Sequence, residues 1–423
     1  MRVAPLVRRS SLAGRSAGER GAILVQTAAM LVGLTALSAF VVDYGILWTA
    51  RRQIQNTADA AAMAAALSLA FYAPGDLARA RANAYTAVNA NKVWGQAASM
   101  EDNDVSFAAC PSGSVGRGAC VRVQVYRNED HQSPLPTIFG SLVGVNEQGV
   151  RATATAQVLY GDSADCVKPV AVPDRWTELF NNQGPAGWDP LDTFQRYQNN
   201  GRLIPGGDLY VPPAGVGNNG SGYTRDTAGV VAGSYGVQAR FEPQRQLNQP
   251  AGDRQFIPVR ISPGANGPMD MLQDFADCSS RVISPGMDLE VEPANATMPT
   301  REGVAALVDA DLNAYWDPAL NGGRGGVAGG CMATGGCTVS PRIVPLVAFD
   351  PDEWDQDRVD SSGHGHHGHG RSEVTVTRLL GFFVESYEAP YMVGRFMGYP
   401  AAPRTAMTSD PQSSFIISVA LVR

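Results

Sequence analysis

Arg20–Phe71 reads RGAILVQTAAMLVGLTALSAFVVDYGILWTARRQIQNTADAAAMAAALSLAF, and its first half carries no charge between Ala22 and Val42. As a helix rising ~1.5 Å per residue, that run covers about 30 Å, the thickness of a bilayer's hydrocarbon core. A secretory signal has a shorter apolar region, ~7–15 residues, followed by a small-residue cleavage site, whereas here the helical pattern continues. A buried helix of a soluble protein fits less well, because Arg2, Arg8, Arg9, Arg15 and Arg20 gather at one end. The positive-inside rule reads such a flank as a cytoplasmic N-terminus. Asp43 and Tyr44 then mark the outer interface, and the bulk of the chain is expected on the extracytoplasmic side.

Beyond the span, Ala, Leu, Met, Gln and Arg dominate, and no Gly or Pro intervenes between Gly45 and Pro74-Gly75. These are strong helix formers, so the helix is expected to run on to about Ala70. Ile54, Ala58, Ala61, Ala65 and Leu69 recur every three or four residues, a narrow stripe suited to close helix packing. The stripe fits a stalk packed on its own domain and a partner-binding spine equally. A second helix, DLARARANAYTAVNANK, follows the break.

From Asp104 the period changes to two. VSFAAC, ACVRVQVY and GVRATATAQVLY alternate as strands, and PTIFGSLVGV between them reads as a short apolar helix. After Asp165 come long Gly-, Pro-, Asn- and Gln-rich stretches. FIPVRIS, RIVPLVAFD, EVTVTRLLGFFVE and SSFIISVALVR then supply β-branched and aromatic runs, implying one sheet assembled from distant pieces. The expected class is α+β, a long transmembrane-plus-stalk helix followed by a strand- and loop-rich region. The expected divisions are a basic tail (1–20), the membrane helix (21–48), a helical stalk (49–98), a small α+β unit (99–164) and a strand-rich domain with long insertions (165–423).

The net charge is −7. The first twenty residues hold five arginines against Glu19, so the tail is +4 and the remainder −11. An acidic body repels a phosphate backbone, which argues against nucleic acid as a partner. Six cysteines, an even number, suit an oxidising compartment and admit fifteen pairings. Local pairs are favoured, Cys110 with Cys120 and Cys331 with Cys337, leaving Cys166 and Cys278 as the long-range pair. No CxxC spacing points to zinc.

The order Arg-Gly, apolar span, Asp43, short aromatic turn, Arg51-Arg52, Ile54-Gln55-Asn56, Ala58-Asp59 and alanine run resembles the N-terminal region of TadE/TadG-like proteins of Tad, or Flp pilus, assembly systems. The resemblance is close over residues 20 to 70, and VRVQVY, PTIFGSLVGV and VRATATA look like its continuation. It implies a single-pass component of the bacterial inner membrane and envelope with no catalytic activity in the shared region. Prepilin-like members are cut after a Gly with Glu five positions on. Here Gly21 precedes Ala22, and the fifth residue is Gln26, which can hydrogen-bond but cannot pair as a carboxylate with a neighbouring N-terminal amine. An uncleaved TadG-like anchor is therefore expected.

Other constellations are weaker. His364, His366, His367 and His369 cluster after an acidic run (Asp350, Asp352, Glu353, Asp355, Asp357, Asp360) and could bind Zn²⁺, Ni²⁺ or Cu²⁺. Interleaved glycines leave them without an orienting shell, so a solvated loop is the expectation and no metal or cofactor is assigned. The acidic run fails the calcium-loop pattern, since Trp354 occupies the third ligand position. A GxGxxG at Gly215, Gly217 and Gly220 follows Pro212-Pro213 instead of a strand and leads into no helix, failing the dinucleotide context. No G-x-S-x-G, HExxH or P-loop occurs, and Asp360-Ser361-Ser362-Gly363 does not complete a DxSxS metal motif. Trp176, Trp188, Trp316 and Trp354 offer a carbohydrate- or surface-binding face as one reading and core anchors as the other.

Two functions follow. In the first, the chain is a non-enzymatic assembly component of a Flp-type pilus, its partners being the membrane and other envelope proteins reached through the stalk. In the second, the exported part is an adhesin or ligand-binding module on a TadG-like anchor. Neither calls for nucleic acid or a small-molecule substrate.

Overall fold

The computed structural model describes residues 17–71, 77–108, 110, 119–179, 192–212, 220–225, 233–246, 249–262, 264, 267–292, 296–337, 339–363, 373–401 and 414–422. The N-terminal elements are α1 (Ala17–Phe71), α2 (Leu77–Ala90), β1 (Val105–Ala108), β2 (Cys120–Arg127) and β3 (Val150–Gly161). Next come β4 (Val170–Pro173), β5 (Gln238–Pro243), β6 (Gln255–Pro258), α3 (Pro268–Ala276), β7 (Asp288–Glu290) and α4 (Thr297–Ala310). The last are β8 (Ile343–Phe349), α5 (Pro351–Gly363), β9 (Glu373–Glu388), β10 (Tyr391–Phe396), β11 (Tyr399–Pro400) and β12 (Ile416–Val422).

The chain forms two units interleaved along the sequence, one of Met1–Ala58, Ala87–Glu101 and Gln124–Thr153, the other of Asp59–Thr86, Asp102–Val123 and Ala154–Arg423. The smaller holds the apolar part of α1. Between Ile23 and Val42 its large apolar side chains are 42–71% exposed, whereas Ile46, Ala50 and Ile54 are buried. One helix therefore changes environment within a turn of Asp43. A two-strand pairing of Lys92-Val93 with Gln96-Ala97 and another of Leu135-Pro136 with Glu147-Gln148 complete this unit.

In the larger unit, six strands close into a ring. β8 pairs antiparallel with β9 and parallel with β4, β4 antiparallel with β6, β6 parallel with β5, β5 antiparallel with β10, and β10 antiparallel with β9. β9, 16 residues long, pairs with β8 along Val376–Phe383 and with β10 along Phe382–Glu388, and register shifts at Val384/Ser386 and, on β8, at Ala348/Phe349 supply curvature. β7 adds to its start. Every strand sends side chains into one cluster that includes Val172, Phe241, Phe256, Leu346, Phe382 and Phe396. Met271 and Phe275 of α3 and Val304 and Leu307 of α4 join that cluster. Alternate residues such as Ala171, Ile257, Val347 and Phe383 face a second cluster with Trp354. Both faces of β8 are covered, so all seven of its residues are buried and its sequence is continuously apolar.

The four C-terminal strand runs do not share one sheet. β12 pairs antiparallel with β3, Ile416 opposite Gly161 and Val422 opposite Thr155, in a five-strand sheet ordered β11–β12–β3–β2–β1. The C-terminal strand thus completes the sheet that begins at Val105. The alternation of β3, buried at Val150, Ala152, Ala154 and Ala156, gives way to continuous burial through Leu159.

Candidate functional site

In the smaller unit the structural centre is Asp43, on α1 one residue after the last apolar position of the span. Its Oδ1 accepts the N–H groups of Ile138 at 2.9 Å and Phe139 at 3.3 Å, and its Oδ2 those of Phe139 at 3.1 Å and Gly140 at 2.6 Å. These donors open a single 3₁₀ turn, Gly140–Val143, whose own N-cap residue, Phe139, makes no side-chain cap. A carboxylate remote in sequence therefore does what an Asp N-cap does locally, taking otherwise unpaired N–H groups.

The stretch read as a short apolar helix is only this turn. Gly144, at φ 85°, stops it in the left-handed conformation. A Cβ on Gly140 would stand 2.8 Å from the Val145 carbonyl oxygen, so only glycine fits beneath the carboxylate. Thr137 also donates its hydroxyl to that oxygen.

The other motif residues divide by reach. Gln53 Oε1 accepts the Trp94 N–H at 2.8 Å, Gln55 donates to the Thr153 carbonyl at 3.4 Å, and Thr57 reaches the Asn91 carbonyl at 3.5 Å. The Arg52 guanidinium lies 3.7 Å from the centre of the Trp48 ring, a cation–π pair one helical turn apart. Arg51 and Asn56 are exposed, as are Gly21, Ala22 and Gln26, and Asp59, in the larger unit, is half-buried. Sequence reasoning missed Arg127, buried with Nη1 2.8 Å from Gln96 Oε1 and 2.6 Å from Ser133 Oγ. Desolvation lowers its pKa. The signal was present, since Arg127 is in phase with the buried Val121, Val123 and Val125.

Residues 21–68 match a family model described as "Putative Flp pilus-assembly TadE/G-like". This segment is TadE/G-like. It contains the whole exposed apolar run and Asp43, and it belongs to the single described helix long and apolar enough to cross a membrane. No curated protein and no solved structure matches the chain. The TadE/G-like match ends at residue 68, so the ring of strands lies outside it.

The larger unit decides between the two tryptophan readings for Trp176 and Trp354. Trp176 and Trp354 are each 1% exposed, Trp176 edge-on to Phe194 and Trp354 against Phe349, so they are core residues and not a binding face. Trp316 is half-buried, packed near Tyr235 and Phe383. The acidic run is structural as well. Asp350 caps α5 by accepting the Asp352 N–H at 2.7 Å, and Asp352 pairs with Arg196 at 3.1 Å. Asp355, fully buried, accepts the N–H groups of Arg196 and Tyr197.

Three disulfides join Cys110 to Cys120, Cys166 to Cys278 and Cys331 to Cys337. Beside the second, burial lowers the pKa of Lys168 to about 8 while Asp274 and Asp277 oppose the shift, and its Nζ donates to the Asp277 carbonyl at 2.6 Å. Glu178 is 4% exposed, and burial, then its contact with Asp208, raises its pKa to about 7. Among the described residues no group of three or more His, Cys, Asp or Glu side chains is placed to hold a metal ion. His364, His366, His367, His369, Trp188, Gly215 and Gly217 lie outside the described residues.

Proposed function

We propose that this chain is a membrane-anchored, non-enzymatic assembly component of a Flp-type pilus or related secretion apparatus. Its N-terminus is cytoplasmic and its bulk extracytoplasmic at the bacterial inner membrane. The observation that carries the reading is the TadE/G-like segment itself, which joins a solvent-facing apolar span to a folded body through Asp43. Five arginines before the span support the orientation, and three disulfides suit an oxidising exterior. In the stripe of the stalk, Ile54, Ala58, Ala61 and Ala65 are buried and Leu69 is half-buried, which supports a stalk packed on its own chain, while the exposed span offers an apolar surface to other membrane rods.

Gene deletion tests it. Loss of fibres, restored by the full chain but not by a version truncated before residue 43, is the expected result. Intact fibres with reduced surface attachment would replace this reading with the adhesin. Recovery of a mature N-terminus at Ala22 by mass spectrometry would replace the uncleaved anchor with a processed one.

A further inference from the structure

We infer that the loop 137–146 is a second membrane contact, an apolar foot that rests in the headgroup and acyl boundary of the same leaflet that the helix leaves at Asp43. This rests on the reading of Ala22–Val42 as a membrane span.

Depth comes first. Hydrogen bonds of 2.6–3.3 Å fix the backbone of Ile138, Phe139 and Gly140 to the Asp43 carboxylate, and Val42, one residue earlier, is the last of the uncharged run. Phe40, Tyr44 and Trp48 follow at intervals of four along one face of α1, with Tyr44 53% and Trp48 46% exposed. Aromatic side chains in such a row mark the membrane–water interface. Trp48 lies about 7 Å beyond Asp43 at helical rise, so the loop attaches inside the aromatic belt.

Chemistry comes second. TIFGSLVGVN, residues 137–146, has no charged residue. Ile138 is 55% and Val145 52% exposed on either side of the clamped turn. Exposed β-branched residues beside a membrane span continue its apolar surface. The clamp also meets the constraint the boundary imposes, because backbone N–H groups leaving water must find another acceptor. Asp43 supplies one from the helix that sets the depth.

The test uses the full chain reconstituted in phosphatidylethanolamine–phosphatidylglycerol vesicles that carry a diazirine on the acyl chain close to the glycerol. Photolabelled peptides are mapped by mass spectrometry. Label in both 22–42 and 137–146 is expected. Ile138→Asp with Val145→Asp should cut the loop's label several-fold and leave that of the span unchanged, and Asp43→Asn, which weakens the clamp without altering the loop, should do the same. Label confined to 22–42 overturns the foot while the span stands. Absence of label from 22–42 overturns the membrane reading itself and the foot with it.

Discussion

At pH 8 the substitution Glu178→Gln is expected to stabilise the larger unit. Glu178 is buried, its Oε2 accepts the Trp176 indole N–H at 3.2 Å, and the Asp208 carboxylate stands beside it. Asp208 is already committed to the N–H groups of Leu179 at 2.9 Å and Gln195 at 2.7 Å, which leaves Glu178 as the carboxyl that carries the proton. Burial first, and the Asp208 contact second, raise its pKa from 4.5 to about 7. A carboxyl with a raised folded pKa binds its proton more tightly in the folded chain. Its full contribution is therefore present below the unfolded value and is lost as pH climbs through about 7.

The shift corresponds to about 3 kcal/mol, since each pKa unit is about 1.4 kcal/mol. Glutamine keeps an oxygen for Trp176 and offers Asp208 an N–H, so it mimics the protonated acid. Urea titrations of the full chain in detergent, followed by circular dichroism at steps from pH 4.5 to pH 8, isolate the term as the difference between variant and wild type. That difference should start near zero and grow to about 3 kcal/mol in favour of glutamine. A difference that stays flat across the range, or a variant less stable at pH 8, refutes the proton on Glu178.

Three further outcomes follow from packing and chain topology. Gly303→Ala on α4 places a methyl onto Cβ and Cγ of Phe275 on α3, and overpacking of this kind costs about 1–3 kcal/mol in the same urea assay. Replacing Cys166 and Cys278 together by Ala opens a loop of 112 residues and should cost about 5 kcal/mol by chain entropy, against about 2 kcal/mol for Cys331 with Cys337, whose separation is 6. Equal losses would refute the entropic account. Trp354→Ala, which removes a ring 1% exposed, should cost about 3–5 kcal/mol, read as a lowered urea midpoint. Surface attachment by the fraction that stays folded should not change.

Local patterns in the sequence foretell local structure well. The uncharged run and the helix formers after it become one helix, Ala17–Phe71, and the strict alternation of VRATATA becomes β3. The continuous apolar run of β8 signals burial on both faces, which the ring provides. What is not legible depends on distance along the chain. β12 reads as a strand from its Ile and Val residues, but nothing in those residues says that its partner is β3 and not β9, because both offer apolar, extended backbone. The acidic run before the histidines fails the calcium-loop pattern, but its charges alone do not say what it does instead. Its phase at α5 supplies the answer, turning Asp355 into the core and leaving Asp350 as a cap. Asp43 is the sharpest case, since its donors lie 95–97 residues away and no spacing rule reaches that far.

The Asp43 clamp also separates two questions that the span alone runs together. Cleavage after Gly21 would remove the five arginines and Glu19 but leave Ala22–Val42 and Asp43 intact. Processing would therefore abolish the charge signal that orients the helix without altering its length or its attachment to the loop at 138–140. On the proposed reading the arginines would set orientation during insertion, while they are still present, and Asp43 with the aromatic row would hold the depth of the helix afterwards. Gln26 is exposed on the apolar part of the helix, well before Asp43, so on the same reading it would bear on processing and on contacts between rods. A Gln26→Glu variant should leave membrane insertion and the clamp unchanged. Its effect should appear in processing by a prepilin peptidase and in co-assembly, where a carboxylate can meet a free amine and an amide cannot.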